Sequence, residues 1–331
     1  MKKTILVTLT ALFCIYTVCS QNIIRAKPIT EIFADFHYFP DNDSSTTTGF
    51  AVNRAYLGCN FTTDTRFTGS VIVNVANPSE LAPGAKSRRV AYFREASVTW
   101  NGDRLTLSGG MTTTKGTIFQ QRFIGKRYVA ENFEALDGYI SVADLGFTVE
   151  YKINDRLKAD MSLMNGEGYS ELHLDNSIRG SVGLTIVPLK NTVIRLYGDM
   201  DRPGGIRQNM LLCFIGYKNN RVNLAAEVAG RTSLDKIPGH NAWGFSSTCS
   251  VKIFEKTELF GRFDHTASKT VPNEDLPWNY DSDRQFAVTG IQYSFTDAFR
   301  IALDYQGIFP SSPEFPYQHG IYLNAHFRLL D

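Results

Sequence analysis

Apolar and polar residues alternate with a period of two along most of this chain. From Glu95 onward, Ala96, Val98 and Trp100 point one way and Glu95, Ser97 and Thr99 the other. Asn101-Gly102-Asp103 then reads as a tight turn, because Asn and Gly tolerate positive φ. Leu105, Leu107, Gly109 and Met111 alternate with Arg104, Thr106, Ser108 and Gly110 on the return. The same pattern predicts strands at 32–39, 50–61, 67–75, 144–152, 157–164, 178–187, 193–200 and 210–217. It continues at 222–230, 243–253, 258–266, 285–295, 299–308 and 321–329. No hydrophobic stripe of helical period stands out against it.

The connections alternate as regularly as the side chains. Short turns such as 153–156, 188–191, 218–221 and 296–298 take turns with longer polar loops such as 41–48, 77–89, 165–176 and 267–283. A soluble sandwich or propeller does not keep that order. A membrane barrel does, with short turns at one end and long loops at the other. In lipid every backbone N–H and C=O must be paired within the protein, and a closed sheet achieves this without leaving an edge. The fold class is therefore all-β, a transmembrane antiparallel β-barrel of about 16 strands. Short turns and both chain ends fall on the periplasmic side, and long loops lie outside. The last strand, with Ile321, Leu323, Ala325, Phe327 and Leu329 on one face, has the period needed to close on the first.

The connection at 114–138 is unusually long and strongly charged. It is expected to bend into the lumen and form a constriction, with Lys115, Arg122, Lys126 and Arg127 set against Glu131, Glu134 and Asp137. With apolar positions facing lipid, parity places Arg54, Glu95, Lys158, Arg179, Arg195, Glu227, Arg262, Asp304 and Arg328 on the pore lining. Arg231, Lys252, Arg300, Asp144, Glu150, Asp160, Asp199, Glu258 and Asp264 share that face. Rows of both signs suit a transverse field across a water-filled pore, or they simply pair and solvate the inner wall.

The N-terminus changes the picture of where the chain goes. Met1-Lys2-Lys3 is a basic start, residues 4–18 are apolar, and Val18-Cys19-Ser20 fits a small-residue cleavage site. Residues 1–20 are read as a signal peptide and 21–331 as the barrel. Beyond the signal no apolar run is long enough for a helical span. The net charge of +1 gives no bulk electrostatic case for nucleic acid. Cys59, Cys213 and Cys249 remain in the mature chain, too widely spaced for a metal site, and are read as small apolar surface residues. His240, His265 and His319 lie in or near loops and offer only a weak case for a metal. The Asn60-Phe61-Thr62 sequon sits at a strand end near a short turn and is read as chance. No G-x-S-x-G, H-E-x-x-H or phosphate-loop motif is present, so no enzyme and no cofactor is expected.

Several segments resemble one family. Asn53-Arg54-Ala55-Tyr56-Leu57-Gly58 followed by Phe67-Thr68-Gly69-Ser70-Val71 is similar to the opening of the phosphate-selective porin O/P family of Gram-negative outer membranes. Residues 93–100 with 105–110 resemble its next hairpin, and Met164-Asn165-Gly166-Glu167-Gly168-Tyr169 its recurring N-G-x-G segment. The resemblance implies a sixteen-stranded outer-membrane porin, usually a homotrimer, that passes small hydrophilic solutes or ions, including anions such as phosphate, by diffusion. It also implies a third external loop folded into the pore, surrounding outer-membrane lipid, and recognition by barrel-assembly machinery. Anion-specific members line the pore with arginines, whereas the list here is mixed. The competing reading is a barrel that acts as an adhesin or ligand receptor through external loops such as 272–280.

Overall fold

A computed structural model describes residues 25–40, 48–63, 66–76 and 90–329. The expected signal peptide at 1–20 and the loops at 41–47 and 77–89 lie outside the described residues. The sixteen strands are β1 Arg25–Tyr38, β2 Gly49–Thr62, β3 Phe67–Ala76, β4 Val90–Asn101, β5 Leu105–Thr113, β6 Ala143–Asn154, β7 Leu157–Met164 and β8 Arg179–Ile186. They continue with β9 Thr192–Asp201, β10 Gln208–Lys218, β11 Val222–Thr232, β12 Ala242–Phe254, β13 Thr257–Ser268, β14 Arg284–Ser294, β15 Phe299–Pro310 and β16 Gln318–Arg328. Each pairs antiparallel with its sequence neighbours, and β1 closes on β16 from Glu31↔Arg328 to Tyr38↔Ile321. The sheet is a closed barrel without a free edge along that seam.

The short turns are closed by their own side chains. Asn219 Oδ1 accepts from the N–H groups of Arg221 and Val222, each at 2.8 Å, and Asn154 Oδ1 accepts from Arg156 N–H at 2.8 Å. Thr296 Oγ1 does the same for Phe299 N–H at 3.0 Å. Such bonds mimic a backbone turn, which explains why Asn, Asp and Thr mark these positions.

The outer wall is apolar as the alternation predicts. Leu57, Val98, Leu163, Leu211, Val228, Leu303 and Leu323 are all exposed, Leu211 at 73%. A water-soluble protein does not carry a continuous belt of this kind, whereas a lipid-facing wall requires one. Cys213 and Cys249 share that outer surface, Cys59 is half-buried, and all three are free.

Three features depart from simple alternation. β1 starts at Arg25 instead of residue 32; its residues 25–30 pair with β2 but have no partner in β16. Pro28, which lacks an N–H, sits in that stretch. β-bulges break the parity: Asn53 of β2 and Arg94 of β4 are skipped in the pairing with β1 and β3 respectively, and Ile153 of β6 and Ile253 of β12 are skipped beside their short turns. Finally, the long connection after β5 is not all loop. It contains α1 Ile118–Ile124, ended by Gly125 at φ +72°, and a single turn α2 Phe133–Leu136.

Candidate functional site in the barrel lumen

The segment between β5 and β6 lies inside the barrel. It is held there by an apolar contact that the strand pattern hides. β10 is apolar on both faces: Leu211, Cys213 and Ile215 face outward, while Met210, Leu212 and Phe214 face inward and are buried. The inward set packs with Phe133, Tyr139 and Ile140 of the segment and with Phe119, Phe123 and Ile124 around α1. Phe214 meets Phe119 and Phe123 edge-on at centroid distances of 5.7 and 5.3 Å. Burying each such side chain is worth about 1.5–3 kcal/mol, so the cluster anchors the segment firmly.

Polar contacts tie the same segment to the wall all round the lumen. Arg195 of β9 donates to Lys115 O at 2.8 Å, and Lys218 of β10 and Asn223 of β11 both donate to Phe123 O at 2.9 Å. Tyr128 Oη bonds Gln292 of β14 at 2.7 Å, and Gln306 of β15 donates to Val129 O at 3.2 Å. Tyr128 also stacks on His326 of β16, 5.2 Å between ring centroids. Within the segment, Asn132 Nδ2 reaches Thr117 O at 3.0 Å, which ties α2 back to the start of α1.

The seven charged residues expected at the constriction have unequal fates. Lys115 pairs with Glu150 of β6. Arg122 is exposed in the lumen and makes no hydrogen bond or ion pair among the described residues. Lys126 pairs with Glu258 of β13 at 2.6 Å. Arg127 and Arg54 converge on Glu131, at 2.5 and 2.6 Å, and the Glu131 carbonyl accepts from Arg262. These two guanidinium groups hold the Glu131 carboxyl below its ordinary range in spite of the desolvation that opposes them. Glu134 and Asp137, in contrast, do not face open water. Glu134 is fully buried, and burial raises its carboxyl to about 7. Asp137 pairs with Arg284 of β14 at 2.7 Å, yet burial still lifts it to about 6. Both belong to the surface that docks the segment, which corrects their expected place at the constriction.

The pore-lining residues all point inward, but many are covered. Arg179 pairs with Asp201 at 2.8 Å, Arg195 with Asp160 at 2.7 Å, and Arg231 with Asp199 at 3.2 Å; all are buried. Glu227 is buried opposite α2, and Asp304 is buried among Asn324 and Gln306. Arg262 is spent on Asp264 at 2.5 Å. Lys158 and Arg328 are exposed, while Glu95 bonds Ser70 at 3.1 Å. Parity fixes which way a side chain points, but it says nothing about whether a folded-in segment then seals it.

The result is a sorting of charge. Acidic groups are mostly buried or paired, and the water-filled spaces toward the short-turn end are lined chiefly by basic ones. One cavity of about 520 Å³ carries Arg94, Arg122, Arg127, Arg300 and Arg328 against Glu31 and Glu95. Another of about 610 Å³ carries Lys126, Lys218, Arg221, Lys252, Lys256 and Arg300 against Glu255, Glu258 and Asp297. A third, of about 420 Å³ beside β2 to β6, is lined mainly by Ser and Thr, with Lys27, Lys115 and Arg122 against Glu95 and Glu150.

Two contributors were not visible from alternation. Arg94 enters the lumen because the bulge in β4 turns it inward next to Glu95. Tyr169, in the long loop after β7, accepts a bond from Arg54 Nη1 at 3.3 Å and packs on Tyr92 at 5.1 Å. The histidines expected as loop candidates form no common site: His240 stacks on Trp278 at 4.3 Å, His265 packs on Trp243, and His319 packs on Tyr305. Trp278 of the 272–280 loop is half-buried and donates to Asn241 O at 3.2 Å.

Comparison with known proteins supports the fold. No family model matches the sequence, and no curated protein does. Among solved structures, OmpF of Salmonella typhi in complex with daunomycin is similar over 94% of this chain and 99% of its own, with a TM-score of 0.69 at 10% identity. The outer membrane channel DcaP of Acinetobacter baumannii is similar over 92% of this chain and 97% of its own, with a TM-score of 0.64 at 12% identity. A trimer form of OmpT, an outer membrane protein of Vibrio cholerae, is similar over 92% of this chain and 99% of its own, with a TM-score of 0.57 at 12% identity. At such identities the likeness is one of architecture: the chain shares a closed sixteen-stranded barrel with outer-membrane proteins.

Proposed function

We propose that this chain is an outer-membrane channel of a Gram-negative cell that passes small hydrophilic solutes and ions by diffusion, with a preference for anions. The observation that carries this reading is the charge sorting. The apolar outer wall fits lipid, and basic residues outnumber acidic ones in the accessible lumen because most of the acids are buried or paired, with wall arginines or with the inward segment. The segment at 114–138 is then the constriction, with Arg122 and the paired Arg127 and Lys126 as its charged face. Phosphate is one anion such a lumen would accept, and the motifs at 53–58 and 93–100 support that choice. A homotrimer, a cleaved signal at 1–20 and insertion by barrel-assembly machinery complete the proposal.

Two expected results test it. Purified protein in a planar bilayer should give stepwise currents, with a reversal potential in a salt gradient displaced toward the anion. A folded barrel with no current, or with cation preference, would overturn the reading. Cysteines inserted at Ser170 or Asn273, both in exposed long loops, should be labelled on intact cells, whereas cysteines at Asp155 or Asn220 in short turns should not. The reverse pattern would invert the orientation.

A further inference from the structure

The loop at 165–178, between β7 and β8, is fixed on both limbs. On the outgoing limb Asn165 N–H donates to Leu145 O at 2.9 Å and Gly166 N–H to Asp144 Oδ2 at 2.7 Å. Gly168, at φ +94°, lies so close to Ser141 that a Cβ would meet that side chain. On the return limb Asp175 Oδ1 accepts from Ser177 N–H at 2.7 Å, and Ser177 Oγ accepts from Arg202 N–H of the neighbouring loop at 2.9 Å. The tip is held less well. Apart from Tyr169, which reaches Arg54, its one backbone bond among the described residues runs from Glu171 N–H to Gly168 O at 3.4 Å. Leu172 and Leu174 stand 77% and 86% exposed.

Three side chains close the gap between the limbs. Glu167 comes from the outgoing limb, His173 and Asp175 from the return limb, and one nitrogen or oxygen of each lies within 4.8 Å of the others. His173 Nδ1 stands 3.0 Å from both oxygens of Glu167. One ring N–H cannot align with two oxygens at once, whereas a metal ion takes lone pairs from several directions. Asp175 Oδ1 is occupied by the Ser177 N–H, which fixes the carboxylate and leaves Oδ2 for the cluster. The cation beside Oδ2, Lys236, is 3.8 Å away and half exposed, so it is free to swing aside.

We propose that Glu167, His173 and Asp175 bind a divalent transition-metal ion of the zinc class, which staples the two limbs of this loop together. One imidazole nitrogen with two carboxylate oxygens suits zinc, and the imidazole disfavours magnesium and calcium, which prefer oxygen alone. Zinc bonds of about 2.0–2.1 Å place tetrahedral ligand atoms about 3.3 Å apart, so the observed cluster needs only small side-chain shifts to close on an ion. Binding requires Nδ1 without its proton, which leaves the ring proton on Nε2. The fourth position is left to water. The same loop carries Tyr169, whose hydroxyl accepts from Arg54 at 3.3 Å, so a stapled loop also keeps that side chain seated in the lumen. The site rests on the loop geometry alone and does not depend on whether the barrel conducts.

The test uses the folded full barrel in detergent, titrated calorimetrically with zinc chloride and, separately, with magnesium chloride in a phosphate-free buffer. Zinc should bind the wild type, and magnesium should not bind over the same concentrations. His173→Gln and Asp175→Asn should each weaken zinc about tenfold or more, at least the loss seen when a supporting group around a metal is removed. Asp175→Asn keeps the Oδ1 acceptor for Ser177 N–H, so the loop retains its shape and the variant serves if His173→Gln misfolds. His240→Gln, outside the cluster, should bind zinc as the wild type does. Chymotrypsin, which cuts after Tyr169, Leu172 and Leu174, reads the staple directly. Zinc should slow cleavage in this loop several-fold, a chelator should restore it, and His173→Gln should show no protection. If the wild type does not bind zinc, or if affinity is unchanged in the His173 and Asp175 variants, the site is overturned. Magnesium bound as tightly as zinc and indifferent to His173→Gln would likewise overturn it, as mere cation attraction to an acidic surface. Zinc bound without slower cleavage would overturn the staple.

Discussion

Replacing residues 118–136 with a short Gly-Ser linker should raise the single-channel conductance about two- to fivefold, since a sixteen-stranded wall otherwise encloses a wide aqueous channel. The segment reaches the wall at β2, β6, β9 to β11 and β13 to β16, so it crosses most of the lumen. Its removal also takes away Arg122, Lys126, Arg127 and the buried Glu134, so anion preference should fall as conductance rises. The same deletion wets Met210, Leu212 and Phe214, and the temperature at which the barrel unfolds in detergent should drop. Phe133→Asp is a milder version, placing a charge within the anchor and releasing the segment without shortening the chain. Conductance unchanged in both variants would mean that the wall alone sets the passage.

The second large effect is on pH. The Glu134 carboxyl lies fully buried on the docking face, and burial raises it from the ordinary 4.5 to about 7. Asn132 and Thr117 within the segment and Arg262 from β13 act in the opposite sense, toward ionisation. Glu227 of β11 lies near enough for the two carboxyls to repel each other once charged, and both carry oxygens with no hydrogen-bond partner. The sign follows from linkage. A carboxyl whose bound value lies above its free value favours the docked state fully below about 4.5, and that advantage is lost as pH rises through about 7. Asp137, raised to about 6, works in the same direction. Bilayer currents should therefore be steady near pH 5 and acquire larger, fluctuating openings near pH 8. Glu134→Gln keeps a neutral group in place and should flatten most of this dependence. An identical pH profile for the variant and the wild type would place the titrating group elsewhere.

Most of the wall was legible in the sequence, because lipid on one side and water on the other impose a period of two that few other folds sustain. Thus 193–200 and 222–230 lie within β9 and β11 almost residue for residue. What alternation conceals is anything that breaks its phase or adds a third layer. Arg94 was assigned no face because a bulge shifts the phase by one residue between Phe93 and Glu95. Glu134 carries the same charge as Glu131, and only the packing of α2 against the wall separates a buried carboxyl from one that bridges two arginines. One sign of the inner layer was present in plain view. Met210-Leu211-Leu212-Cys213-Phe214-Ile215 is a run without polar interruption, as expected for a strand covered on both faces and not for one with water on the inner side.

That run has a consequence for how the molecule is made. Until the barrel is in lipid and the segment has docked, β10 presents six consecutive apolar residues with strong strand propensity and no gatekeeping charge among them. Segments of this type nucleate intermolecular sheets when left uncovered. Left uncovered, this stretch would expose the chain to self-association. Insertion of β10 and arrival of Phe133 on its inner face then act together to withdraw it from self-association.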